Sequence, residues 1–122
     1  MICRQCGFAE AAPWLALALR RGDTSGGLLT VQDLAAGCVL LLFERRGVAC
    51  GALALEIAGP VCWIRAAGGR GELAAEMLTV AKTMATAAGA RRLGFTTRRR
   101  GLIKKMQRNG FAVSAVEMTM DI

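Results

Sequence analysis

The sequence predicts a mixed α/β fold, an antiparallel meander followed by a single β–α–β crossover. Three observations predict it. Strand-like apolar runs lie back to back between residues 38 and 66, divided only by short turns. A helical stripe and one further strand-like run follow, the order that a parallel crossover requires. Strand and helix do not alternate along the whole chain as they do in a doubly wound sheet.

Taken in order, Ile2 to Cys6 reads as a short first strand. Ala9 to Arg21 reads as a helix with Trp14, Leu15, Ala18 and Leu19 on one face and Pro13 near its start. The stretch GDTSGG, residues 22 to 27, is a turn or loop, and Thr30 is placed to cap a short helix that stops at Gly37. Cys38 to Glu44 is a continuous β-type run, Arg45–Arg46–Gly47 a tight turn, and Val48 to Ile57 the returning strand. Gly59–Pro60 turns the chain into a third strand, Val61 to Ala66. Gly68 to Gly71 reads as a glycine-rich loop. From Glu72 to Ala88 the stripe Leu73, Met77, Ala81, Met84, Ala88 predicts a long helix, stopped by Gly89. Arg92 to Thr96 is the strand after it. Thr97 is placed to cap a helix from about Arg98 to Arg108 with Leu102, Ile103 and Met106 inward. Phe111 to Ile122 reads as a last strand or bent pair of strands; with Val113, Val116, Met118 and Met120 on an exposed edge it predicts a homodimer.

With 122 residues and a hydrophobic fraction of 54%, the expectation is a single domain over residues 1–122 with a core that needs no disulfide or metal staple. No apolar run approaches the ~20 residues of a membrane span. The run Pro13 to Leu19 resembles part of a cleavable leader, but Glu10 before it and Arg20–Arg21 after it argue against export, so the expected location is cytoplasmic.

The chain has no His and no Tyr. That excludes Ser/His/Asp and Cys/His catalysis, His-based metal sites and a tyrosine acid, and leaves Cys, Asp, Glu, Lys or water for proton transfer. The five cysteines are expected as thiols. Cys3 and Cys6 form a C-x-x-C that is half a zinc site or a redox pair on paper, although no further ligand pair accompanies it and no metal is expected. Cys38, Cys50 and Cys62 read as small apolar side chains inside strands.

Charge is unevenly placed. Residues 77 to 116 carry nine basic groups (Lys82, Arg91, Arg92, Arg98, Arg99, Arg100, Lys104, Lys105 and Arg108) and no acidic one, while the remainder has seven basic against nine acidic. Such a segment concentrates anionic ligands: cofactor phosphates, a nucleic acid or an acidic protein reached through Arg98, Arg99, Arg100, Lys104, Lys105 and Arg108. A solvated helix face kept soluble by its charge is the plainer alternative.

This order of elements resembles the GNAT (GCN5-related N-acetyltransferase) superfamily over nearly the whole chain, most closely from Val61 to Phe111. The stretches that carry the resemblance are VCWIRA, GGRGELAAEML, RLGFT and RGLIKKMQRNGF, the last with the family's terminal Gly-Phe at Gly110–Phe111. The resemblance implies a GNAT-like fold whose third meander strand splays from its neighbour. It implies acetyl-CoA as donor, with the pyrophosphate at the start of the long helix and the thioester carbonyl held by backbone around Ile64, Arg65 and Ala66. The family's loop, Q/R-x-x-G-x-G/A, falls on Gly69–Ala74 when anchored on the helix, or on a register from Arg65 through Gly68 and Arg70. The implied cofactor residues are thus Ile64, Arg65, Ala66, Gly68, Gly69, Arg70, Gly71 and Ala74. Glu72 stands in a position where the family has glycine. Met106 stands where many members have a tyrosine acid, and it donates no proton. Glu56 is the candidate base, with Cys62 a weaker one. The function implied is N-acetyl transfer to an amine. The alternative is an inactive GNAT-like binding or assembly protein of the phage virion type, using its basic surface for DNA or an acidic partner.

Overall fold

The computed structural model describes residues 1–23 and 25–122. Thr24, in the predicted 22–27 loop, lies outside the described residues. The element order is β1 (Ile2–Gln5), α1 (Phe8–Gly22), α2 (Val31–Ala35), β2 (Val39–Arg45), β3 (Val48–Ala58), β4 (Val61–Gly69), α3 (Ala74–Ala87), β5 (Arg92–Phe95) and α4 (Arg100–Gln107).

One sheet runs in the order β1-β2-β3-β4-β5. The first three pairings are antiparallel and β4–β5 is parallel, as the meander and crossover require. The turn between β2 and β3 is tight because Arg46 and Gly47 both adopt positive φ, 52° and 76°, which matches the twist of the flanking strands.

The uninterrupted apolar run of β2 is explained by helices on both faces of the sheet. Leu40 and Leu42 pack with Ala52, Ala54 and Ala66 against Ala11 and Leu15 of α1 and Leu34 of α2. Leu41 and Phe43 pack with Leu53, Leu55 and Cys62 against Leu73, Met77, Ala81 and Ala85 on the α3 side. The small residues on the first face let α1 come close: a Cβ on Gly68 would stand 2.0 Å from the Trp14 carbonyl oxygen. Thr30 caps α2 in a complete capping box with Asp33. Among the described residues no helix is long and apolar enough to cross a membrane.

Three expectations are corrected, and one open question is narrowed. The glycine-rich loop is shorter than Gly68–Gly71, because Gly68 and Gly69 belong to β4. The long helix begins at Ala74 rather than Glu72, and Ala85, not Ala88, completes its buried row. The residues from Ala112 to Ile122 form no strand and are all exposed; beyond β5 they have no paired neighbour from which to gain a ladder. The C-x-x-C thiols do not make a pair: Cys3 packs into the α3-side cluster and Cys6 into the α1-side cluster, on opposite faces of the sheet.

Candidate functional site

The site begins where two strands part. β4 and β5 are in register from Val61–Arg92 to Ile64–Phe95, and β5 ends there while β4 runs on to Gly69. An extra residue in β4, Arg65, bulges between the pairs Leu55–Ile64 and Ala54–Ala66 and re-aims the strand at that point. Past the fork, the side of β4 that faced β5 has no strand beside it among the described residues. Trp63 flanks the fork. Its ring lies across Gly94 of β5, where an added Cβ would stand 2.6 Å from it.

β4 leads into Arg70–Leu73 and then α3. The turn is possible because Gly71 takes φ of 76°. Leu73 drops its side chain onto Gly51 and Gly69, whose absent Cβ atoms would lie 2.8 and 2.5 Å from its Cδ1. This fixes the start of α3 on the sheet. No side chain caps α3. Its first-turn N–H groups, from Ala74 to Glu76, have no intrahelical partner and concentrate positive potential at the mouth.

Three arginines engage the segment that leads into it and its neighbours. Arg21 donates from Nη1 to the Gly69 carbonyl at 3.3 Å, and Arg45 donates from Nη2 to the Glu72 carbonyl at 3.1 Å. Arg70 lies over the Trp14 ring, 5.9 Å from its centre. Between the first turn of α3 and α4 lies an open groove of two adjacent hollows of about 300 and 500 Å³ that share Glu72, Ala74 and Lys105, with Arg99 in the wall of the second. Glu72 is exposed and borders both hollows, whereas Glu76 is held by Arg45 at 3.5 Å. Met106 lines the first hollow.

Of the residues singled out from the sequence, Ile64, Arg65 and Ala66 stand at the fork, and Arg70, Gly71 and Ala74 at the mouth. Gly68 and Gly69 lie in β4 and are committed to packing against Trp14 and Leu73. Glu56 sits across from Trp63, with Arg65 at 3.9 Å, on the α1 side of the sheet. Cys62 is fully buried and its thiol is pushed up by burial, so it offers no accessible base. Burial, then the Glu56 charge, also raises the neighbouring Cys38 thiol, which donates to the Leu34 carbonyl at 3.3 Å.

Arg98, Arg99, Arg100, Lys104, Lys105 and Arg108 are all exposed. Only Arg99 and Lys105 among them line the groove. Sequence reasoning missed Arg21 and Arg45. Arg21 is 48 residues from Gly69 along the chain, and no local pattern announces that contact.

No family model matches the sequence, and no curated protein matches it in sequence. Solved structures do match in fold. An acetyltransferase from Trypanosoma brucei superposes with a TM-score of 0.67 at 16% identity, over 99% of each chain. Glucosamine-6-phosphate N-acetyltransferase from Arabidopsis thaliana gives 0.65 at 11%, over 98% of this chain and 97% of that one. An aminoglycoside N-acetyltransferase solved in complex with CoA gives 0.60 at 16%, over 99% and 97%. The chain therefore has the GNAT fold, the fold the sequence predicted.

Proposed function

We propose that this chain is an acyl-CoA-dependent N-acetyltransferase of the GNAT superfamily that moves an acetyl group from acetyl-CoA to an amine. One observation carries the reading: the fork between β4 and β5 leads to an uncapped helix start with Arg99 and Lys105 in the adjoining hollow and Arg21, Arg45 and Arg70 along the segment before it. That donor set fits a diphosphate, which takes backbone N–H bonds and cationic side chains together. The presence of CoA in a protein of the same fold supports the choice of ligand.

The buried row Leu73, Met77, Ala81, Ala85 favours the loop register Gly69–Ala74 over the shifted one, because it fixes which side of α3 faces the sheet. Arg70, Gly71 and the N–H groups from Ala74 then hold the diphosphate. The free edge of β4 from Arg65 onward supplies N–H donors for an acyl oxygen. When bound, acetyl-CoA supplies a thioester whose acyl carbon accepts the amine nitrogen as its carbon–sulfur bond breaks. Glu56, beside Arg65, takes the amine proton directly or through water. Met106 offers the leaving thiolate no proton, so water supplies it and proximity does most of the work.

Titration calorimetry with acetyl-CoA tests the reading. The wild-type chain should bind stoichiometrically, and the Arg70→Ala/Lys105→Ala double variant should bind about a hundredfold or more weakly, since hydrogen bonds to charged groups each contribute roughly 1.5–3 kcal/mol. Equal affinity of the two proteins overturns the assignment of the mouth.

A further inference from the structure

The α1 face of the sheet is apolar up to the fork, where one charge pair interrupts it. Its core cluster packs Ala52, Ala54 and Ala66 of the strands against Ala11 and Leu15 of α1, with no charged side chain among its members. At the rim of that face β3 presents Glu56, directly across from Trp63, so the two side chains share a side. The bulged residue Arg65 brings its Nη1 to 3.9 Å from the Glu56 Oε1, with the two side chains 40% and 37% exposed. That separation is too long for a hydrogen bond, and so exposed a pair contributes little to stability. Among the described residues neither side chain makes a hydrogen bond. Trp63, 37% exposed, completes the patch with an apolar ring.

Resting on the reading of this chain as an acetyltransferase with Glu56 as base, we propose that the acceptor is a free α-amino acid with an apolar side chain. Its ammonium meets Glu56, its carboxylate meets Arg65 and its side chain lies against Trp63. Charge favours this class of amine. A simple amine or a polyamine arrives as a cation and meets the Arg65 guanidinium beside the carboxylate it needs. An α-amino acid neutralises both groups at once. Spacing favours it as well. A single carbon joins its ammonium to its carboxylate, so its two charges lie as close together as Glu56 and Arg65 do. The carboxylate can take the guanidinium by two parallel N–H donations, a stronger contact than the loose one it replaces. A peptide N-terminus has no carboxylate at that place.

The transfer balances with these partners. The ammonium gives one proton to Glu56, the freed amine nitrogen bonds to the acyl carbon, and the carbon–sulfur bond breaks. The nitrogen then sheds a second proton. One of the two reaches the thiolate through water, and the other is released to solvent.

Rates of thiol release from acetyl-CoA, measured on the full chain with phenylalanine, phenylalaninamide and phenethylamine, test the class without any variant. Phenylalanine should exceed the other two by about tenfold or more in kcat/KM, although the amide is the most readily deprotonated of the three amines. Arg65→Gln should erase that preference, chiefly through KM for phenylalanine, and Arg65→Lys should restore part of it. Calorimetry with acetyl-CoA on the wild type separates the two readings. A chain that binds acetyl-CoA but uses the amide or the amine as well as the acid, or transfers to none of the three, overturns the acceptor class and leaves the donor site standing. So does a preference for the acid that survives Arg65→Gln. A chain that does not bind acetyl-CoA overturns both.

Discussion

At the scale of single residues, the glycines around the fork have specific tasks. Gly68 lets the backbone of α1 rest on β4, and its Cβ would overlap the Trp14 carbonyl. Gly68→Ala should therefore destabilise the fold by about 3 kcal/mol, the upper end for overpacking a close-packed site, as urea unfolding would register. Gly101→Ala, with nothing within 4 Å of the new Cβ, should instead be neutral or stabilising by up to about 1 kcal/mol. Glu72 is the residue that most opposes an anion at the mouth. Glu72→Gln should tighten acetyl-CoA binding severalfold at low salt, and the gain should shrink as salt rises. Met106→Tyr should raise the turnover number with little change in KM, since it restores an acid for the leaving thiolate without adding a binding group.

Three surface carboxylates set the response to acid. Arg4 holds the Glu10 carboxyl below its usual range through a side-chain hydrogen bond. The hydroxyl and N–H of Ser25 do the same for Asp23, as do the N–H and hydroxyl of Thr30 for Asp33. Because these values are depressed in the folded state, the stability they contribute is present above their ordinary values near 4 and is lost as pH falls through the folded ones. Melting temperature should hold from pH 7 to 5 and decline below about pH 4, and Asp33→Asn should lessen that decline.

At the scale of elements, α4 is held by its ends more than by its burial, since it has no buried residue. Gly110, with φ of 93°, closes the helix, and the Phe111 N–H returns to the Met106 carbonyl at 3.0 Å. This is the physical content of the Gly-Phe pair that the sequence displayed. Phe111→Ala should lower the melting temperature and loosen acetyl-CoA binding, because the Phe95 contact positions the wall that carries Lys105 and Met106. Elements fixed by local periodicity were legible in the sequence: the meander, the crossover, the stripe of α3, the Thr30 cap. The end of β4 was not. Gly68 and Gly69 look like a loop until the side chain of Leu73 and the backbone of α1 are seen to need the room. Residues 112–122 were misread: they alternate like a strand, yet alternation makes a strand only where an edge accepts it, and in the structure they pair with none and stay exposed.

At the scale of the molecule, the basic segment proved to be distributed rather than a single patch. Arg99 and Lys105 line the groove, while Arg21, Arg45 and Arg70, from three other places in the sequence, engage the Gly69 carbonyl, the Glu72 carbonyl and the Trp14 ring along the segment that leads into α3. Convergence of that kind is a property of the fold, which is why the sequence indicated Arg70 and Lys105 but not Arg21 or Arg45. It gives the mouth a positive potential that no single stretch of chain encodes. The central claim is that this mouth receives the diphosphate of an acyl-CoA. Thermal unfolding with acetyl-CoA tests it most directly: at one hundred times Kd, binding to the folded chain should raise stability by about 2.7 kcal/mol. No shift at millimolar acetyl-CoA, alongside a salt-sensitive shift caused by duplex DNA, would contradict it.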